Sequence, residues 1–176
     1  AAVTASLCAF AIGTETNGSI ICPASVNGIV GLKPTVGLVS RSGIIPISET
    51  QDTAGPMTRT VTEAAIVLGA MTALDDRDGA MAKRAESPPE DYTIYLDADA
   101  LAGKRVGVEK SFLKVHEKVD GLLQTALSQM REKGATIVEV DHKDRLGEID
   151  DNEFKLLQYE FKDGLNRYLR TTDVPV

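Results

Sequence analysis

The chain has no tryptophan, and its four tyrosines and four phenylalanines make it only 5% aromatic over 176 residues. Nucleic-acid binders concentrate Lys and Arg in a basic stripe that tracks phosphates. Here Lys and Arg number 19 against 26 Asp and Glu, a formal charge of -7, and no basic stripe stands out, so no nucleic-acid partner is expected. Cysteine is scarce too. Cys8 and Cys22 form neither a CxxC pair nor a disulfide framework, and the expectation is a reducing, cytoplasmic setting. The two histidines, His116 in KVHEKVD and His142 in EVDHKD, stand among charged residues. No histidine or cysteine pair has ligand spacing, so neither a metal nor a cofactor is expected. The apolar opening AAVTASLCAFAI is shorter than the roughly 20 residues needed to span a bilayer. It also lacks an initiating Met and a positively charged start, which argues against a signal peptide.

What is present suits one globular unit with a real core, since 43% of the residues are hydrophobic. Residues 1–11 read as the second half of a buried helix, and the chain is expected to be an internal piece of a longer domain. Residues 12–56 hold much of the glycine and proline, consistent with brief strands and tight turns. Thr60 and Glu63 form a capping box before a helix that should run to Asp75–Gly79, with Val61, Ala64, Ala65, Leu68 and Met71 or Thr72 on one face. Residues 79–102 carry Pro88-Pro89 and little apolar periodicity, so a surface excursion is expected there. KRVGVE at 104–109, the amphipathic run Val119 to Met130 closed by Gly134, and ATIVEV at 135–140 spell strand, helix, strand. That order predicts a βαβ unit with a right-handed crossover. A final helix over 151–170 should place Phe154, Leu157, Phe161, Leu165 and Tyr168 on one stripe. Residues 1–78 thus form a first portion and 103–176 a second.

The stretch IGTETNGSIICPAS raises the chemical question. Asn17-Gly18 favours positive φ, and successive N–H groups in such a turn converge on one concavity, the geometry of an oxyanion hole. Ser19 is then a candidate nucleophile, although a serine in a glycine-rich turn also serves as a plain cap. A serine hydroxyl needs a base beside it, and neither histidine suits. Lys33, in GLKPT, qualifies if burial lowers its pKa; as an ordinary exposed lysine it does not. GTETNGS lacks the GK[ST] ending of a phosphate loop. Asn17-Gly18-Ser19 is formally a glycosylation sequon, at odds with the expected compartment.

The run from AAVTASLCAFAIGTETNGSIICPAS through GIVGLKPTVGLVSRSGIIPISETQDTAGPMTRTVTEAA resembles the core of the amidase signature family. LAGKRVGVEKSFL, GATIVEVD and YEFKDGLNRYL resemble its later segments, in particular those of the peptide-amidase-like branch. The resemblance implies an α/β/α sandwich around a mixed sheet, of which this chain is an incomplete portion. It also implies a serine, cis-serine, lysine triad that hydrolyses carboxamides. Ser19 falls on the nucleophile, and the backbone N–H groups of Thr16, Asn17, Gly18 and Ser19 fall on the oxyanion turn. The bridging cis-serine and the lysine lie upstream of that turn in the family, so Lys33 is not the family's base, and the chain alone is expected to be inactive. Glu15 stands where Asp is usual, Asn17 where Gly is usual, and Ile21 where Arg is usual. Ile21, Cys22, Gln51 and Asp52 are the candidate substrate contacts. The implied substrate is a small-molecule or peptide amide, and a homo-oligomer is expected. Two other readings stay open: a scaffold or binding protein without catalysis, and an amidotransferase component for glutamyl-tRNA amidation.

Overall fold

The structure is a computed structural model that describes residues 1–84 and 87–171, and of residues 143–148 the backbone course alone. Residues 85–86 of the expected excursion and the closing 172–176 lie outside the described residues. The chain forms two compact units, one of Ala1–Leu96 with Leu156–Val176 and one of Asp97–Lys155.

In the first unit, strands β1 (Ala11–Glu15), β2 (Val30–Gly31) and β3 (Thr53–Thr58) make an antiparallel sheet in the order β1-β3-β2. Its register sets Gly13 opposite Gly55 and Gly31 opposite Met57. A short helix, α1 (Ile21–Val26), follows β1 after the Thr16–Ile20 turn, and α2 (Val61–Met71) follows β3. The capping box of α2 is formed as the sequence predicts, Glu63 N–H donating to the Thr60 hydroxyl at 3.2 Å and Thr60 N–H to the Glu63 carboxylate at 3.2 Å. Ala64, Ala65, Val67 and Leu68 are its buried face, and Val61 is exposed. The helix stops at Met71, ahead of Asp75, because the Thr72 hydroxyl and N–H both turn back to the Gly69 carbonyl. Val39, Ala54 and Leu68 form a core cluster with Leu32, Ile44 and Tyr92 packed around it.

Two expectations in this unit are corrected. Residues 1–10 are turns rather than helix. Ala5 and Leu7 N–H reach back to Ala1 and Ala2 at 2.9 Å, but Ser6 takes φ 58°, a left-handed value that an α-helix of L-residues does not continue through. Residues 79–102 are not wholly a surface excursion, since Met81 is 1% exposed.

The second unit contains β4 (Arg105–Glu109), α3 (Glu117–Glu132) and β5 (Thr136–Val140), with β4 and β5 parallel and Arg105 paired to Thr136. This is the βαβ unit that the hydrophobic spacing predicts. Gly134, at φ 88°, ends α3, as a glycine past a helix C-terminus commonly does. The last helix, α4 (Lys143–Arg170), begins eight residues before the expected start. Its apolar stripe is only partly covered: Leu157, Leu165 and Tyr168 are half-buried, whereas Phe154 and Phe161 are exposed.

Candidate functional site

The Thr16–Ile20 turn between β1 and α1 is built around one carboxylate. Glu15 is 5% exposed. Its Oε1 accepts the Gly18 N–H at 2.8 Å, and its Oε2 accepts those of Ile20 at 2.8 Å and Ile21 at 3.0 Å. Burial pushes this carboxyl up, but the three N–H donors and the charge of Lys33 hold it, on balance, below the usual carboxylate range. The carboxylate passes over Ser19, which is exposed at the crest of the turn. Gly18 takes φ 88° while Asn17 does not enter the left-handed region, so the positive φ expected of the Asn-Gly pair falls on glycine alone. The expectation of four oxyanion donors is changed at one position, because the Gly18 N–H is engaged by Glu15.

Beneath the turn, Ile20 is completely buried. The positions where Cβ atoms of Gly13, Gly31 and Gly55 would stand lie 3.1, 3.1 and 3.0 Å from its side chain. One glycine from each of the three strands therefore leaves the hole that Ile20 fills, and the residue next to Ser19 is locked to the sheet. Ile20 is absent from the sequence-based candidates. Any apolar residue would give the same periodic signal, and the three glycines meet only through strand pairing.

A second carboxylate holds the other side. Asp52 is buried, and its Oδ1 accepts the Thr16 hydroxyl at 2.5 Å. Its Oδ2 accepts the N–H groups of Ile47 and Ser48, each at 2.8 Å. Asp52, expected to touch substrate, is thus committed to three protein donors. Lys33 is exposed, and its ammonium donates to the Thr16 carbonyl at 2.6 Å, bracing the turn from outside.

A cavity of about 60 Å³ opens beside Ser19, lined by Thr14, Thr16, Ile44, Ile47 and Asp52 among others. Small-molecule sites run to roughly 300–1,000 Å³, so these residues supply one wall of a substrate site rather than all of it. Of the four candidate contacts only Asp52 lines this cavity; Ile21 and Cys22 are exposed on α1 and Gln51 is half-buried. Arg41 lines the cavity as well and was missed by sequence reasoning. It grips Asp78 through Nε at 2.9 Å and a terminal nitrogen at 2.8 Å, and its own N–H donates to the same carboxylate at 2.9 Å. A larger cavity of about 310 Å³ shares Arg41, Ile44 and Asp52 but not Ser19.

The histidines belong to the second unit. His116 precedes α3 without a side-chain cap, and His142 N–H donates to Glu109 at 2.7 Å. Cys8 and Cys22 are free thiols. Among the described residues no group of three or more His, Cys, Asp or Glu is arranged to hold a metal, and no helix is long and apolar enough to cross a membrane.

The mixed α/β architecture is of the kind that the sequence resemblance implies. Residues 1–174 match the profile of the Amidase family, and the chain belongs to that family. The native peptide amidase from Stenotrophomonas maltophilia superimposes with a TM-score of 0.91 at 49% identity, over 99% of this chain and 36% of that one. An amidase family protein from Bacillus anthracis gives 0.82 at 37% identity, over 99% and 34%. By sequence, a protein of Arabidopsis thaliana described as a probable amidase is 40% identical over 96% of this chain and 32% of its own length. A glutamyl-tRNA(Gln) amidotransferase component from Caldanaerobacter subterraneus is 43% identical over 80% of this chain and 28% of its own length. The chain spans about a third of the length of the relatives it matches. The α/β class and the family named by the resemblance are both borne out.

Proposed function

We propose that this chain supplies the nucleophile turn of an amidohydrolase that cleaves a carboxamide C–N bond through an acyl-enzyme on Ser19. The carrying observation is the Glu15 carboxylate, which takes the N–H groups on either side of Ser19 and leaves the serine exposed beside a cavity. In the proposed reaction Ser19 Oγ attacks the amide carbonyl and gives its proton to a base. The tetrahedral oxyanion is met by backbone N–H groups of the turn. Collapse expels ammonia or an amine, the nitrogen taking the proton back from the base, and water, deprotonated by the same base, then attacks the acyl-enzyme to release the acid and restore the Ser19 hydroxyl. The base follows the family pattern, a lysine acting through a cis-serine, both upstream of the turn. The 176 residues alone are accordingly expected to be inactive.

Among amide substrates, a peptide C-terminal amide is the proposed class, supported by the 49% identity to a peptide amidase. Transamidation is the second reading, favoured by the match to an amidotransferase component. The lower likeness to the glutamyl-tRNA(Gln) amidotransferase component of Thermotoga maritima, with a TM-score of 0.70 at 25% identity, weighs toward hydrolysis. Free thiols at Cys8 and Cys22 support a reducing, cytoplasmic compartment. Self-association is the proposed assembly, and a concentration series in sedimentation would test it.

The functional test uses protein from its native source. A fluorophosphonate should label Ser19, located by peptide mass spectrometry, and ammonia should be released from a peptide C-terminal amide. Both should vanish in Ser19→Ala. Labelling at another serine, or turnover that survives Ser19→Ala, would overturn the proposal.

A further inference from the structure

The Ser19 turn is tied to a helix far along the chain by hydrogen bonds between named groups. Ser48 is fully buried, and its hydroxyl donates to Oε2 of Glu160 on α4. The Thr50 hydroxyl donates to the same carboxylate at 3.0 and 3.1 Å, with the Thr50 N–H at 3.3 Å. Ser48 N–H, one residue's width away, donates to Asp52, and Asp52 accepts the Thr16 hydroxyl. The Asp52 N–H closes the turn on the Ser48 carbonyl at 2.9 Å. The path runs from Glu160 through Ser48 and Asp52 to Thr16, three residues before the nucleophile.

The Ser48–Asp52 and Asp52–Thr16 joints are buried, and the Ser48–Glu160 joint is part-buried. A buried hydroxyl left without an acceptor costs free energy, and the Glu160 carboxylate is the nearer and stronger acceptor for Ser48, the Thr50 hydroxyl standing 3.5 Å away. Burial pushes the Glu160 carboxyl up, yet the Ser48 and Thr50 donors hold it, on balance, below the usual range, keeping it an acceptor. The neighbouring link from α4, Arg167 to Glu49 at 3.2 Å, is between two exposed side chains and contributes little.

We infer that Glu160 is a positioning residue, which sets the 48–52 turn and through Asp52 and Thr16 aims the Ser19 turn. Its catalytic readout rests on the acyl-enzyme reading above. Glu160 touches no substrate in this role, so its loss should act on the rate of the bound complex rather than on binding.

The test compares Glu160→Ala, Glu160→Gln and Ser48→Ala in the native protein. Amide turnover and residue-resolved amide hydrogen exchange are measured side by side. Glu160→Ala should lower kcat on the order of tenfold to a hundredfold, the scale of small misplacements of a reacting group, with KM held. Exchange should quicken at Thr16–Ile21 and 47–52 while the rest of the first unit stays protected. Glu160→Gln, which keeps an acceptor for Ser48, should recover most of the loss, and Ser48→Ala should reproduce part of it. Unchanged exchange at Thr16–Ile21 in both Glu160→Ala and Ser48→Ala would overturn the inference, as would faster exchange spread evenly over the unit. If Glu160→Ala does not fold, Ser48→Ala decides by the same two readouts. Quickened exchange at the turn in a protein whose Ser19 takes no fluorophosphonate would support the coupling and overturn the acyl-enzyme reading instead.

Discussion

The Thr16 hydroxyl meets Asp52 Oδ1 at 2.5 Å, joining the start of the Ser19 turn to a loop 36 residues away. Because Asp52 also accepts two backbone N–H groups, one carboxylate fixes three separate donors. Removing it strands all three.

Asp52→Ala should therefore destabilise the protein by about 3 kcal/mol, the cost of leaving two buried donors and one part-buried donor unpaired. Asp52→Asn should cost about 1 kcal/mol or less, because its carbonyl can keep Ile47 and Ser48 while its amide donates to a turned Thr16 hydroxyl. Gln51→Ala removes nothing from this set and should leave stability unchanged. Urea unfolding of the three variants measures this; equal losses in the alanine and asparagine variants at Asp52 would contradict it.

Glu15 offers a sharper test of the turn itself. Glu15→Gln replaces one accepting oxygen with a donor, so at least one of the Gly18, Ile20 and Ile21 N–H groups meets another N–H. Fluorophosphonate labelling of Ser19 should slow about tenfold or more in the native protein, the scale expected from a small misplacement. Labelling at the original rate would show that the brace is dispensable.

Local chemistry was legible in the sequence, and chemistry assembled by pairing was not. The Thr60–Glu63 capping box and the β4–α3–β5 order rest on spacings within one element, where period and caps carry the signal. Ser19 stood out through its Asn-Gly turn and a family resemblance. Glu15 was noticed as a departure from the usual Asp, but its three bonds have no periodic signature. Asp52 was singled out for contact with substrate, yet its partners at residues 16, 47 and 48 give it a bracing role. Arg41 and Asp78 meet across 37 residues, and no local pattern announces such a pair. The alanine-rich opening misled because composition says helix while Ser6 takes a left-handed φ.

The nest of glycines around Ile20 predicts which of them tolerate a methyl group. A Cβ on Gly55 would stand 2.1 Å from the Leu32 carbonyl oxygen and 3.0 Å from Ile20, whereas nothing lies within 4 Å of the same position at Gly79. Gly55→Ala should cost about 3 kcal/mol or more, because a backbone oxygen and not a flexible side chain must give way. Gly79→Ala should stay within about 0.5 kcal/mol of the parent. Thermal unfolding of the pair checks this, and comparable melting temperatures would refute the close approach.

Arg41 and Asp78 make the acid dependence of stability specific. The Arg41 guanidinium, hydrogen-bonded to Asp78, draws that carboxyl down to about 2, against the opposing effect of burial and from an ordinary value of 3.8. A folded-state pKa below the unfolded one means that the unfolded chain binds the proton first as pH falls. The contribution is therefore whole only above about pH 5 and drains away as pH falls from there through pH 2. It amounts to about 2 kcal/mol, the roughly 2.5 kcal/mol that so large a lowering would carry being reduced by solvent screening at a part-buried pair. Asp78→Asn has no such proton to take up. The stability gap between parent and variant, read from denaturant unfolding at a series of pH values, should be flat near neutrality and should close by about 2 kcal/mol as pH falls through 2. Other carboxylates titrate in the same range, but they do so in both proteins and cancel in the difference. A gap that stays constant through this window would mean that Asp78 is not held ionised by Arg41.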